Sequence, residues 1–349
     1  MEPSFFASIS KVSLYILVIM LTGCSSLGLY HNEDLAPDKS TLYIAACSVL
    51  NSDFEIVRTL SSGYICLPLA NGDWFDIIDG QLRYFSSIDG FIWKKHGRYH
   101  HQIKQIDADH IIVLNAVVKE IDSKLVKFDI VEKINIKTGQ RTHQFSIYDE
   151  LFLKKNLLET DFGTSEYFIN IEPVYFPARF QHTHLNSISF YKNEIIISRI
   201  QDNPFKLTSN LEFKDFIMHD QYIKKSKNKL IHDFQILDDD SRLYFKNINI
   251  DLSDDRRTFK LFRVKNDQIL FEFPQKIDEF VECDYSGGIE KMGAFYLFGF
   301  PNSPQKDSGS TVGLVDDSGH LIKKTKLSFF IQDVKRIPFK NFLEVNSVR

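Results

Sequence analysis

The stretch HTHLNSISFYKNEIIISRI, His182 to Ile200, and its echo HDFQILDDDSRLYFKN, His232 to Asn247, decide how the rest of the chain is read. Each opens on a polar cluster, alternates apolar residues, breaks at a polar turn and resumes as a second run, Glu194–Ile200 or Arg242–Phe245. Short alternating runs are the pattern of half-buried strands, and the polar break between them is that of a hairpin turn. Each copy therefore predicts polar side chains at the mouth of a strand with a hairpin behind them.

The same unit recurs outward from these copies. His101 to Leu114 lies without gaps on His232 to Phe245, and weaker copies run over Asn186–Ile200 and Ser286–Phe300. A second unit, a hairpin with Gly or Asp at its tip, begins at Trp74, Lys133, Leu261 and Gly313. Strand-like runs follow one another from Leu42 as well: Leu42–Cys47, Phe54–Thr59, Tyr64–Leu67, Trp74–Ile78, Leu82–Phe85 and Phe91–Lys94. Inner segment plus hairpin makes four strands, and about 310 residues at a period of roughly fifty give six such units. The expected fold is all-β, a six-bladed β-propeller of four-stranded blades. Thirty-one Phe and fourteen Tyr favour sheet in the same direction. Two stretches break the pattern. Tyr148–Glu159 has apolar residues at helical spacing and predicts a short helix between blades, and Gln221–Lys229 is a basic loop leading into His232.

With 43% hydrophobic residues the chain can bury a large core, and a net charge of −4 with both signs interspersed excludes a general nucleic-acid binder. At the N-terminus, Lys11 precedes the apolar run Val12–Leu21, which ends in Leu21-Thr22-Gly23-Cys24. A positive region and a short apolar run ending in small residues mark a secretory signal, too short to span a membrane. The ending resembles a bacterial lipobox. It implies a signal peptide over 1–23, lipidation of Cys24, a polar tether over 24–40 and a propeller over 41–349. Ser25 follows the lipidated residue where an Asp would retain the protein at the inner membrane, so the expected site is the outer membrane, facing the periplasm. That compartment is oxidising and permits one disulfide among Cys47, Cys66 and Cys283; a Cys47–Cys66 bridge and buried apolar thiols both remain open.

In a propeller the inner strands line a central channel, so polar clusters at their starts converge from different blades. His184, Asn186, Arg199, His232 and Asp233 are the candidate site residues on that ground. His184-x-Asn186-Ser187, Ser198-Arg199, His232-Asp233-x-Gln235 and Leu243–Asn247, in that order and spacing, resemble the bacterial aryl-sulfate sulfotransferases. The match covers the stretch from Phe180 to Asn249 and continues loosely through Ser286-Gly287-Gly288, Gly293 and Gly299 to Gly319. The resemblance implies a six-bladed propeller and a sulfuryl transfer between phenols through a sulfo-histidine. His184 and His232 would then bind sulfuryl oxygens or assist proton transfer, while Asn186, Arg199 and Asp233 shape the pocket of an anionic aryl-sulfate-like ligand. This chain departs from the family at Phe245-Lys246-Asn247, where Lys246 or Arg256 would stand in for an Arg. It also has no His between Asp233 and Gly319, where the nucleophile is expected. Tyr285 and Cys283 lie near that region, and His320 sits at a hairpin tip.

His182 and His184 alternate on one strand face as two metal ligands would, with Asp233 or His232 as a third, but two His residues rarely suffice and no metal site is expected. No Gly-rich phosphate loop, nucleophile elbow or Cys-x-x-Cys occurs, so no cofactor is expected. The alternative to an enzyme is a non-catalytic propeller that binds a ligand or an envelope protein partner. The four lysines Lys224, Lys225, Lys227 and Lys229 before His232 predict salt-sensitive anion binding.

Overall fold

In the computed structural model the described residues are 37–121, 123–153, 180–181, 184–199, 203–221, 231–249, 257–275, 287–302, 309–337 and 342. They form six sheets, antiparallel but for one short parallel strand in the third. The first carries β1 (Leu42–Ala45), β2 (Ser48–Leu50) and β3 (Ile56–Thr59), and the second β4 (Ile65–Pro68), β5 (Trp74–Ile78), β6 (Gln81–Ser86) and β7 (Gly90–Lys95). The third holds β8 (His100–Gln105), β9 (His110–Ile121), β10 (Lys124–Asn135) and β11 (Arg141–Ser146). A fifth strand, β12 (Phe180–Gln181), joins it parallel to Val126–Lys127 of β10. The fourth consists of β13 (Leu185–Tyr191), β14 (Glu194–Arg199), β15 (Phe205–Leu207) and β16 (Phe213–Phe216). The fifth consists of β17 (Ile231–Ile236), β18 (Arg242–Asn249), β19 (Arg257–Lys265) and β20 (Gln268–Phe273). The sixth consists of β21 (Gly288–Met292), β22 (Phe295–Pro301), β23 (Ser310–Asp316) and β24 (Leu321–Leu327).

The last strand, β25 (Val334–Ile337), does not start a seventh sheet. It pairs with β1, Leu42 facing Ile337 and Ala45 facing Val334, and becomes the innermost strand of the first blade. The ring is therefore closed by the two ends of the described chain. The fold is the expected six-bladed β-propeller with four-stranded blades.

Its core is divided among the blade interfaces. Six apolar clusters occur, one between each pair of adjacent blades. Ile195, Ile196 and Ile197 of β14, the second strand of its blade, are all buried because one face meets blade 3 and the other blade 5. Phe259 stacks on Phe245 within its own blade and packs on Phe298 and Phe300 of the next. Each such ring contributes about 1.5–3 kcal/mol by leaving water, so a blade is stable only beside its neighbours.

Three of the four hairpins read from sequence, at Lys133, Leu261 and Gly313, join the outer two strands of their blades. The Trp74 hairpin instead joins the central pair, β5 and β6. Tyr148–Leu153 is a π-helical turn after β11, wider than the α-helix expected there. The remainder of that segment, to Glu159, lies outside the described residues. Cys47 and Cys66 are buried thiols, the second of the two alternatives. Burial and the neighbouring Cys47 thiol push the Cys66 thiol up.

Candidate functional site at the propeller axis

The inner strands of blades 3, 4 and 5 each carry a register shift where they begin. In β8 it falls between His100 and Ile103, in β13 between Leu185 and Ile188, and in β17 between Ile231 and Asp233. A bulge re-aims the side chains of its extra residues. The bulged positions are His101-Gln102, Asn186-Ser187 and His232, so of the candidates read from sequence Asn186 and His232 are bulge residues, while His184 and Asp233 lie just beside their bulges. His101 takes a φ of 58°, a left-handed conformation that His tolerates better than most non-glycine residues. These residues mark the end of the ring at which the inner strands of blades 3, 4 and 5 begin, the entry end of the channel.

In or directly after each bulge one side chain accepts a backbone N–H from the next blade. Gln102 Oε1 accepts from Ile188 at 2.8 Å, Ser187 Oγ from Phe234 at 3.3 Å, and Asp233 Oδ2 from Ile289 at 3.2 Å. Glu290 Oε2 accepts from Arg336 at 2.7 Å and carries the scheme to blade 1. Across the axis, Gln102 Nε2 donates to Asp333 Oδ2 at 3.1 Å, and Lys335 faces the same carboxylate at 2.5 Å. Asp233 is raised by burial and by Asp333; burial likewise raises Glu290, while burial and Lys335 lower Lys104.

Four histidines crowd the entry end. His100 Nε2 lies 3.1 Å from Asp129 Oδ1, His100 Nδ1 lies 2.6 Å from His101 Nδ1, and His101 Nε2 lies 3.0 Å from His184 Nε2. The His232 ring approaches His101 at 5.6 Å between centroids. Asp129 and Lys127 arrive from β10, which forms a long hairpin with β9 and alternates both side chains onto one face. Lys127 Nζ is 3.4 Å from Asp129 Oδ1, and Asp129 Oδ2 accepts the Leu185 N–H at 2.9 Å. Burial alone would raise Asp129, but Lys127 and His100 hold it well below the usual carboxylate range.

An ionised Asp129 sets the tautomers along this line. It accepts from His100 Nε2–H, His100 Nδ1 accepts from His101 Nδ1–H, and His101 Nε2 accepts from His184 Nε2–H. Burial lowers His101 and His184 well below the ordinary imidazole value, with His184 further depressing His101 and Lys127 further depressing His184. Burial takes His232 down to about 4, against the opposing effect of its bond to Gly287. His232 Nδ1 donates to Gly287 O at 2.6 Å, which leaves the lone pair on Nε2. The Gly287 N–H also comes within 3.3 Å of Nδ1, and the shorter carbonyl contact decides the tautomer. All three imidazoles are neutral at pH 7.

The expected site residues are placed as follows. His184 and His232 flank His101 from either side. Asn186 is buried, its Nδ2 donating to Ile231 O at 3.3 Å while its Oδ1 has no hydrogen-bond partner. Asp233 holds Ile289, and Arg199 is buried on β14 opposite Leu185. Lys246 is buried opposite Ile231, and burial takes it down to about 8. His320 bonds to Asp316 in an outer hairpin turn. Cys24, His182, the lysines of 224–229, Arg256, Cys283 and Tyr285 lie outside the described residues. Sequence reasoning overlooked His100, His101, Lys127 and Asp129. The available signal was the gapless alignment of His101 on His232. Among the described residues no three His, Cys, Asp or Glu side chains are placed to share a metal ion.

No family model matches the chain and no curated protein matches it, so the sulfotransferase resemblance rests on its quoted motifs alone. Among solved structures it is similar to BamB from Moraxella catarrhalis, at 8% identity and a TM-score of 0.39 over 87% of this chain and 78% of that one. It is similar to the computationally designed Ika8 protein, at 10% identity and a TM-score of 0.42 over 86% and 89% of the two chains. It is also similar to a quinonprotein alcohol dehydrogenase-like protein from Bacteroides thetaiotaomicron, at 7% identity and a TM-score of 0.39 over 87% and 78%. Likenesses this distant carry no functional argument, and the fold rests on the blades themselves.

Proposed function

We propose that this chain is a lipid-anchored envelope propeller that holds a ligand or protein partner and performs no chemistry at its axis. One observation carries the reading: four polar side chains at the entry end, those of Gln102, Ser187, Asp233 and His232, bond to the backbone of the next blade. Gln102, Ser187 and Asp233 accept backbone N–H groups of the next blade, and His232 donates to Gly287. The anchor is Cys24 in Leu21-Thr22-Gly23-Cys24, and Ser25 favours the periplasmic face of the outer membrane. Among the described residues no helix is long and apolar enough to cross a membrane. A palmitate analogue should label the wild type and leave Cys24→Ala unlabelled.

A second reading, sulfuryl transfer between phenols, is favoured by the convergence of His184 and His232 on His101. With Nδ1–H held by Gly287, His232 Nε2 has the lone pair to attack sulfur as the S–O bond of an aryl sulfate breaks and phenolate leaves. An acceptor phenol then takes the sulfuryl group and gives up its proton. Lys127, whose charge bears on both His101 and His184, faces Asp129 at 3.4 Å, which opposes an anion there. Purified protein incubated with a chromogenic aryl sulfate and a phenol decides between the two. No turnover is expected. Turnover lost in His232→Ala establishes the transfer and overturns the scaffold reading.

A further inference from the structure

Nine of the twelve large apolar side chains left exposed among the described residues lie on the outer edge of four consecutive blades. In blades 5 and 6 they are Ile269 and Leu270 near the start of β20, and Leu321 and Ile322 at the start of β24. In blades 1 and 2 they are Ile56 and Val57 at the start of β3, and Phe91 and Ile92 in β7 beside exposed Ile88. The ladders place all four pairs at one end of the ring. Ile269 faces Val264, Leu321 faces Val315, Ile56 faces Leu50 and Phe91 faces Phe85, each beside the turn out of the third strand. That end is opposite the bulges that carry His101 and His232. Blades 3 and 4 differ: β11 exposes Arg141, Thr142, His143 and Gln144, and β16 exposes Lys214 and Asp215.

The chain enters the propeller inside this arc and at the same end. Thr41 leads into Leu42, which faces Ile337 at the far end of β25 from Val334. The surface carries both signs of charge, with Lys94, Lys324 and Lys326 along the strands and Asp53, Asp89 and Asp267 exposed in the turns. Mixed charge around aliphatic and aromatic pairs matches a zwitterionic phospholipid surface, where amines and phosphates alternate, and gives a purely anionic layer no net attraction.

We infer that the outer arc of blades 5, 6, 1 and 2 lies against the phospholipid bilayer that holds the protein, its apolar pairs at the boundary between headgroups and acyl chains. The inference rests on the lipid-anchor reading only for how the chain reaches a bilayer. Docking leaves the outer strands of blades 3 and 4 facing water, with the long β9–β10 hairpin beside them.

The test uses the full chain carrying Cys24→Ser, Cys283→Ser and an N-terminal hexahistidine, bound to phosphatidylcholine vesicles that contain nickel-chelating and brominated lipids. The tag supplies the tether, so the outcome does not depend on lipidation. A fluorophore is placed at Ile322→Cys, Leu270→Cys or His143→Cys, and its quenching by the brominated acyl chains is measured. Quenching at 322 and 270 should exceed that at 143 by more than about twofold, as expected for side chains at the acyl boundary. In a Leu321→Glu, Ile322→Glu background with unchanged melting temperature, the quenching at 270 should fall to the level at 143. Equal quenching at all three positions on vesicle-bound protein overturns the docking and leaves the anchor standing. Failure of the palmitate label at Cys24 overturns the anchor alone.

Discussion

His101 and His184, 83 residues apart, meet through their Nε2 atoms at 3.0 Å, and the contact bridges the inner strands of two blades. One proton lies in this contact between two neutral rings, and protonating both rings would set two buried like charges face to face. Acid should therefore be felt at this interface first.

Stability should fall as pH drops below about 6.5, because a free imidazole takes up a proton where the buried ones resist it. The folded-state value of His232 is depressed, so its contribution is fully present above about 6.5 and is lost on acidification through about 4. That shift corresponds to roughly 3 kcal/mol. Asp233 and Glu290, raised in the fold, work in the opposite sense and offset part of the loss above the free carboxylate range. Urea midpoints between pH 7.5 and 5 should decline for the wild type and decline less for His232→Gln. Parallel slopes would show that His232 is not a source.

Asp233→Ala should cost about 1–3 kcal/mol, the penalty of a buried amide left without its acceptor. Ile289 is that amide, and Asp233→Asn retains an oxygen for it. Denaturant curves at pH 7 should place Asn close to wild type and Ala well below it. Equal losses would assign the effect to charge instead of the inter-blade bond.

Gly287→Ala should destabilise by about 1–3 kcal/mol through overpacking. A Cβ there would stand 2.3 Å from the Phe245 ring, which stacks on Phe259 in the core between blades 5 and 6. Phe245→Leu in the same chain should recover part of the loss, read as melting temperature. No recovery would place the strain in the backbone.

Asp129→Asn should cost about 3 kcal/mol or more, since it removes the carboxylate that Lys127 and His100 face in a buried setting. The double change Lys127→Met, Asp129→Leu should be milder than the single one, because it removes both charges together. A double variant as unstable as Asp129→Asn would mean that losing the acceptor for the Leu185 N–H, which Asn retains and Leu lacks, costs as much as losing the carboxylate charge beside Lys127.

Strand alternation, hairpin turns and the recurrence of His232–Phe245 at His101–Leu114 were sufficient to determine six four-stranded blades from sequence alone. They are properties of short segments, and an inner strand keeps its polar mouth and apolar body whatever lies beside it. The start of each inner strand was also legible as the place where His184, Asn186, His232 and Asp233 would gather. Tertiary structure alone decided what those residues do. Every antiparallel hairpin alternates in the same way, so the pattern at Trp74 could not distinguish a central pair of strands from an outer one. Ring closure pairs Leu42 with Ile337, a partner that no local period can indicate. Asp233 looks like a ligand-binding carboxylate in the chain and acts as an acceptor for Ile289 in the fold, because the packing of the next blade brings that N–H within 3.2 Å. His101 and Asp129 reach the axis through a left-handed bulge and a long hairpin, and their partners are set by the packing of whole blades.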